Sequence, residues 1–289
     1  MKTLKRIWSL SVKIAAAVFT IITTLLSFFS IEDYNISNCC KIISLLGICI
    51  FIVIIACIRI FTAKKRRIWS KNSGSIIVRY GDLLKIAFKK NNCCKSKDKK
   101  FVVIPVNTHF DVLVQEPSDN PHPLVSSKTL HGRWLKKYFQ ETNKSPEELQ
   151  SDIYSYLDGL NEKYEMDEIH SGGKRKYEIG TSVIIKGISN VDYILLAISE
   201  FNQYNNAKST KNQLIQSVKR LVNFVNCHCQ GYECYVPLMG TGLSRSNLDH
   251  KKSLHTIVST MDLYNEDVIS PINVVIYNGD KSKVSIYDY

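Results

Sequence analysis

The chain has little of what marks an unfolded or fibrous protein: 7 prolines and 13 glycines in 289 residues. With 45% hydrophobic and 22% charged residues, it is neither collagen-like nor low-complexity nor wholly disordered. It also lacks G-x-S-x-G, H-E-x-x-H and G-x-x-x-x-G-K-[ST], so the commonest hydrolase and NTPase motifs are absent. No internal repeat is present. Acidic residues are few, 26 against 38 basic ones, and the formal charge is +12. The excess is localised. Residues 1–58 carry five basic and two acidic groups (+3), residues 59–100 fourteen and two (+12), and residues 101–289 nineteen and twenty-two (−3). A nucleic-acid-binding domain carries its own basic surface, and the slightly acidic bulk of this chain does not.

Long hydrophobic runs are not lacking. Ile14–Ile31 is uncharged over eighteen residues, and a second uncharged run covers Ile42–Ile58 and continues past Arg59 to Ala63. At about 1.5 Å per residue each nearly or fully spans a hydrocarbon core of about 30 Å. A cleaved signal peptide is the competing reading of the first run, but that run is long for a signal core and a second follows at once. The reading adopted is a hairpin of two transmembrane helices. Lys2, Lys5, Arg6 and Lys13 precede it, Lys64, Lys65, Arg66 and Arg67 follow it, and Glu32 and Asp33 sit in the link, so both termini are expected in the cytoplasm. Of nine cysteines, five then lie in a reducing compartment. Cys227-His228-Cys229 with Cys234 can be drawn as a zinc site, but the spacing lacks a matching second pair, and small apolar residues at a helix end and strand start is the preferred reading.

Three segments are expected: the hairpin over 1–63, a basic linker over 64–74, and an α/β domain over 75–289. In that domain Ser75–Arg79, Phe101–Val106, Thr181–Ile185, Tyr193–Ser199, Glu233–Leu238 and Asn273–Tyr277 read as strands, with Val284–Tyr287 at the sheet edge. Ser145-Pro146-Glu147-Glu148 is a capped helix start, and Lys208–Asn226 and Asn247–Tyr264 carry helical apolar periodicity. Alternating strands and helices imply a three-layer α/β/α sandwich.

Ligands of open α/β sheets bind outside the carboxyl ends of the strands. Asn107, Phe110 and Asp111 follow one strand there. Gly240-Thr241-Gly242-Leu243-Ser244-Arg245 follows another and opens a helix, an arrangement that offers backbone N–H groups to a phosphate. A glycine turn needed for geometry alone is the competing reading of G-T-G. His131 and Arg133 are either a pair at the cleft or a helix start with a solvated arginine. Asp249-His250 reads as helix surface, and Tyr193, Phe201 and Tyr204 as core or cleft wall.

Taken together, Gly81-Asp82-Leu83, V-V-I-P-V-N at Val102–Asn107 and P-L-M-G-T-G-L-S at Pro237–Ser244 resemble the equivalent segments of macro domains, which bind ADP-ribose and its derivatives. More specifically, V-N-T-H-F-D at Val106–Asp111, S-K-T-L-H-G-R at Ser127–Arg133, Y-E-I-G-T at Tyr177–Thr181 and P-L-M-G-T-G-L-S-R at Pro237–Arg245 resemble a divergent macro-like family. That family sits behind two transmembrane helices in the effector of bacterial Thoeris antiphage systems. The resemblance implies that Asp82 receives the adenine amino group, Asn107 contacts the distal ribose and Gly240–Leu243 wrap the diphosphate. Tyr177, Gly180 and Thr181 would line the cleft. ADP-ribose-removing macro enzymes carry a second asparagine where this chain has Phe110, and an apolar ring cannot orient an attacking water. The resemblance therefore implies a receptor without cofactor or metal. Its ligand would be an ADP-ribose-derived messenger, a histidine conjugate being the expected form, made by a TIR-domain partner. Self-association and disruption of the bacterial inner membrane would follow, with no nucleic-acid partner. A membrane-anchored hydrolase of ADP-ribose derivatives is the alternative, and a receptor for another protein is a third possibility.

Overall fold

The computed structural model describes residues 2–26, 38–88, 99–116, 118, 123–188, 190–201, 207–241, 248–265 and 268–289. It divides into two compact units, Met1–Lys64 and Lys65–Tyr289.

The first unit consists of α1 (Lys2–Leu26) and α2 (Asn38–Thr62), which pack on each other. Thr20 and Thr23 donate their hydroxyls back to Ala16 and Phe19 carbonyls at 2.9 and 3.0 Å, and Thr62 does the same to Ile58 at 2.7 Å. Helical threonines thereby hide their polar atoms. Among the described residues, no helix is long and apolar enough to cross a membrane. The two expected helices are therefore present, while their spanning character is not met among those residues. The reason is one of extent. The first uncharged run continues beyond Leu26 into residues outside the described set, as does the acidic link, and α2 contains seven residues (38–42, 44 and 45) whose side chains lie outside it. The side chains that are described on α2 present Ile50, Phe51, Ile54, Ile58 and Phe61 to the exterior.

The second unit begins earlier than composition suggests. The expected linker is a strand: β1 (Lys65–Lys71) pairs antiparallel with β2 (Gly74–Gly81). Its basic side chains suit a sheet edge, where charge opposes further strand addition. Asp82 caps α3 (Leu83–Ala87), and β3 (Lys100–Asn107) follows. The short strands β4 (Val114–Gln115) and β5 (Val125–Ser126) pair with each other before α4 (Leu130–Thr142). Helix α5 (Pro146–Gly159) starts on the expected capping box, Ser145 with Glu148. Next come β6 (Tyr164–Met166) and β7 (Arg175–Tyr177), an antiparallel pair, then β8 (Ser182–Ile185) and β9 (Val191–Phe201). The chain continues through β10 (Ala207–Lys208), α6 (Lys211–His228), β11 (Glu233–Pro237), α7 (His250–Leu263) and β12 (Pro271–Tyr277). The expected edge strand at Val284–Tyr287 is absent: after β12 a 3-10 turn at Asn278–Asp280 leads into turns, in which the Ile286 N–H donates to the Tyr80 hydroxyl at 3.1 Å.

The sheet order is β1-β2-β12-β11-β3-β9-β10, with β8 also on β9. Strands β2, β12, β11, β3 and β9 are mutually parallel, and β1, β8 and β10 run against their neighbours. Parallel strands buried on both faces read as continuous apolar runs, as Phe101–Ile104 and Ile272–Ile276 largely do. One face packs Val102, Ile104, Tyr193 and Leu195 under α3, α4 and α5, through Leu84, Trp134, Leu135, Leu149 and Ile153. The other is covered by α6 and α7, whose Val218, Val222, Leu254 and Ile257 are fully buried. This is the expected α/β/α sandwich, and its parallel order places the carboxyl ends of β2, β12, β11 and β3 side by side.

Candidate functional site

A cleft of about 170 Å³ opens at those ends. Its lining comes from the end of β2 and the start of α3 (Gly81–Leu84), from Leu130 and Arg133 on α4, from Pro237, Leu238 and Thr241 after β11, and from Val275, Tyr277 and Asp280 around the end of β12. Three of the expected ligand residues thus meet from distant parts of the chain: Asp82, Arg133 and Thr241.

Asp82 is built for two tasks. Its Oδ1 accepts the N–H groups of Leu84 at 3.0 Å and Lys85 at 3.3 Å, capping α3. Its Oδ2 has no partner among the described residues. Arg133 is exposed and has no ion-pair partner among them. The β11 strand ends in a turn in which Gly240 adopts φ +83, a left-handed conformation that glycine takes without penalty. Beneath it, the Ser253 hydroxyl of α7 donates to the Met239 carbonyl, and the Leu238 N–H donates to Val275 O at 3.1 Å. Gly242, Leu243, Ser244 and Arg245 lie outside the described residues. Asp280 closes the rim, ion-paired with Lys283 at 2.8 Å and in reach of His250 at 3.4 Å. Asp249 is the N-cap of α7, in keeping with a helix-surface role.

The other expected residues form a second group around the end of β3. Asn107 is buried, and both ends of its amide bond within its own turn: Oδ1 accepts the N–H groups of His109 (3.0 Å) and Asp111 (3.3 Å), and Nδ2 donates to Asp111 Oδ2 at 3.0 Å. In this conformation the side chain organises the loop rather than presenting itself to a ribose. Phe110 sits at φ +52 with its ring buried edge-on against Tyr177, centroids 5.7 Å apart. Tyr177 is also buried, and burial raises its phenol pKa. Gly180 (φ +90) packs its bare Cα against Arg220, which is held by Glu178 at 2.7 Å. Thr181 is buried with no hydrogen-bond partner for its hydroxyl among the described residues. His131 lies under the α4 start, stacked on Trp134, and burial pushes its pKa down to about 4, so it is neutral at pH 7. It does not line the cleft.

Sequence reasoning missed the most concentrated chemistry in the domain. His109 and His170 are buried and stacked face to face with ring centroids 3.8 Å apart. His109 Nε2 lies 3.2 Å from Asp167 Oδ2, and His170 Nε2 lies 2.9 Å from Asp111 Oδ2. Burial first, then the neighbouring His170, lowers the His109 pKa. Burial opposes charge on Asp167, but the His170 N–H and the His109 ring overcome it and lower the carboxyl pKa. No motif announced this group, because Asp167 and His170 come from a loop far along the chain. The cysteines are not part of it: Cys229 caps α6 and Cys234 lies buried in β11, as small apolar residues would.

A family model described as the macro domain of the Thoeris protein ThsA matches residues 76–277, well over half of the chain. The chain belongs to this family. The Thoeris ThsA macro-domain family thereby fixes the α/β sandwich as macro-like, and its match begins within β2 and closes with β12. Similar solved structures include an Oceanobacillus iheyensis macrodomain variant at 13% identity, with 78% of this chain and 94% of that one covered and a TM-score of 0.48. Another is the Oceanobacillus iheyensis macrodomain with ADP, at 13% identity, 77% and 92% coverage and a TM-score of 0.42. A macrodomain protein from Streptomyces coelicolor follows at 9% identity, 70% and 96% coverage and a TM-score of 0.37. No curated protein sequence matches the chain.

Proposed function

We propose that the chain is an antiphage membrane effector of a bacterial cell, whose macro-like domain binds an ADP-ribose-derived messenger made by a TIR-domain partner. A histidine conjugate of ADP-ribose is the form expected. The observation that carries this reading is the cleft at the ends of β2, β11 and β12. It joins a carboxylate oxygen without a partner among the described residues (Asp82), a cation without an ion pair there (Arg133) and a glycine turn (Gly240-Thr241) in a member of the ThsA macro family. A carboxylate suits an exocyclic amine, and an arginine suits a diphosphate.

In this reading α1 and α2 form a bilayer hairpin with both termini in the cytoplasm. Its support is the uncharged runs Ile14–Ile31 and Ile42–Ile58, the basic flanks, and the exposed apolar side chains of α2. Ligand binding biases the domain towards self-association, limited by its differential affinity for the two assembly states. Clustered hairpins then disrupt the inner membrane and infection aborts. Phe110 favours a receptor over a hydrolase, since a buried ring at φ +52 holds no water-orienting group.

The test uses the full chain in detergent or nanodiscs, with ADP-ribose, its histidine conjugate and NAD. Calorimetric binding with a shift of assembly state by mass photometry supports the proposal. Steady breakdown of the ligand replaces it with the hydrolase, and failure of all three compounds to bind overturns the ligand class.

A further inference from the structure

We propose that His109, Asp167 and His170 bind a divalent transition-metal ion of the zinc type at the carboxyl end of β3. One ligand-capable atom from each of the three lies within 4.8 Å of the others, so that small side-chain rotations bring all three onto a single ion. Two imidazoles and one carboxylate are a zinc donor set that leaves a fourth position open.

The surroundings fit the ion. Asp111 is buried and fixed by three donors: Asn107 Nδ2 at 3.0 Å, Gly173 N–H at 2.8 Å and His170 Nε2 at 2.9 Å. With Nε2–H given to that carboxylate, His170 Nδ1 keeps the lone pair a metal needs, the carboxylate-to-imidazole arrangement common behind metal-bound histidines. His109 Nε2 stands 3.2 Å from Asp167 Oδ2, a separation that two neighbouring ligand atoms of one ion adopt. Asp167 is held from its other oxygen by the His170 N–H at 3.2 Å, so two of the three ligands are pre-positioned by the same loop. Gly172 permits that loop to lie down: a Cβ there would stand 2.0 Å from Asp111 Oδ1.

The ion ties the loop carrying Asp167 and His170 to the β3 end, independently of whether the neighbouring cleft takes a nucleotide. The full chain, stripped with chelator and dialysed, is titrated with Zn²⁺ by calorimetry and with Co²⁺ by visible absorption. One ion per chain is expected, with a Co²⁺ ligand-field band. Asp167 is partly exposed, so Asp167→Asn retains the fold and lowers Zn²⁺ affinity at least tenfold, while His109→Gln removes the band. His228→Ala, at the cysteine cluster, leaves both unchanged. The proposal falls if no Zn²⁺ binds at one equivalent, if Asp167→Asn binds it as tightly as wild type, or if His228→Ala abolishes binding. Because the readout is the metal itself, loss of nucleotide binding alone leaves this outcome unaffected.

Discussion

Asp82 separates a structural from a binding role within one side chain, and two substitutions read the roles apart. Its Oδ1 caps α3 through Leu84 and Lys85, and α3 is a single five-residue segment, Leu83–Ala87, that has no second cap to slide to. Asp82→Ala removes the cap and costs about 1 kcal/mol. For a domain of this size that lowers the thermal midpoint by about 2–4 °C. Asp82→Asn caps a helix as well as aspartate does, so its midpoint stays at the wild-type value. Binding behaves differently. An asparagine that turns its oxygen to the Leu84 and Lys85 N–H groups turns an NH2 donor to the cleft, where the second carboxylate oxygen stood. A hydrogen bond to a charged group contributes about 1.5–3 kcal/mol, so both variants lose roughly tenfold to a hundredfold in affinity for ADP-ribose. Differential scanning fluorimetry gives the midpoints and calorimetry the affinities, on the full chain. Wild-type affinity in Asp82→Asn would refute the placement of the adenine end beside α3, and an unchanged midpoint in Asp82→Ala would refute the capping argument.

Arg133→Ala leaves the midpoint unchanged, since the side chain is exposed with no ion pair among the described residues, yet weakens ADP-ribose binding about tenfold or more by calorimetry. Equal affinity in that variant removes Arg133 from the site. Gly180→Ala forces an L-residue to φ +90 with its Cβ 2.7 Å from Arg220 Cδ, and lowers stability in urea denaturation by about 1–3 kcal/mol. His131 titrates near 6.5 when unfolded and at about 4 when folded. Between those values the unfolded chain binds a proton that the folded chain refuses, so this contribution is intact above pH 6.5 and is lost as the pH falls to 4. The loss amounts to about 3 kcal/mol. His131→Phe flattens that part of the stability profile, and an unaltered slope would show that another group governs it.

The sandwich was legible because parallel strands covered on both faces leave uninterrupted apolar runs, and because Ser145-Pro146-Glu147-Glu148 carries a complete helix-start signal. The cap at Asp82 is equally local, an aspartate directly before the apolar run that α3 buries. Signals failed where structure depends on a partner strand. Lys65–Lys71 is too basic to read as a strand, and it forms one because β2 offers a free edge with the register Lys65 to Arg79 through Lys71 to Gly74. Conversely, Val284–Tyr287 has strand composition, but its Ile286 N–H goes to the Tyr80 side chain rather than to a ladder.

The candidate site divides along the same line. Asp82, Arg133 and Thr241 belong to segments that a motif picks out one at a time, and the strand order then brings them together. Asn107 shows the limit of that approach: the residue type and position suit a ribose, yet both ends of its amide are spent on His109 and Asp111, so Asn107→Ala would disturb the loop as well as any ligand. The histidine group lay beyond reach for a topological reason. His109 follows β3, whereas Asp167 and His170 sit in the loop between β6 and β7, and that loop is drawn to β3 by Tyr177 N–H bonding Thr108 O at 2.9 Å. A pairing of residues 61 positions apart leaves no spacing pattern; only the folded backbone makes His109 and His170 neighbours. The same backbone hydrogen bond sets Phe110 against Tyr177, so the apolar contact that argues against water activation and the polar cluster beside it follow from one loop placement.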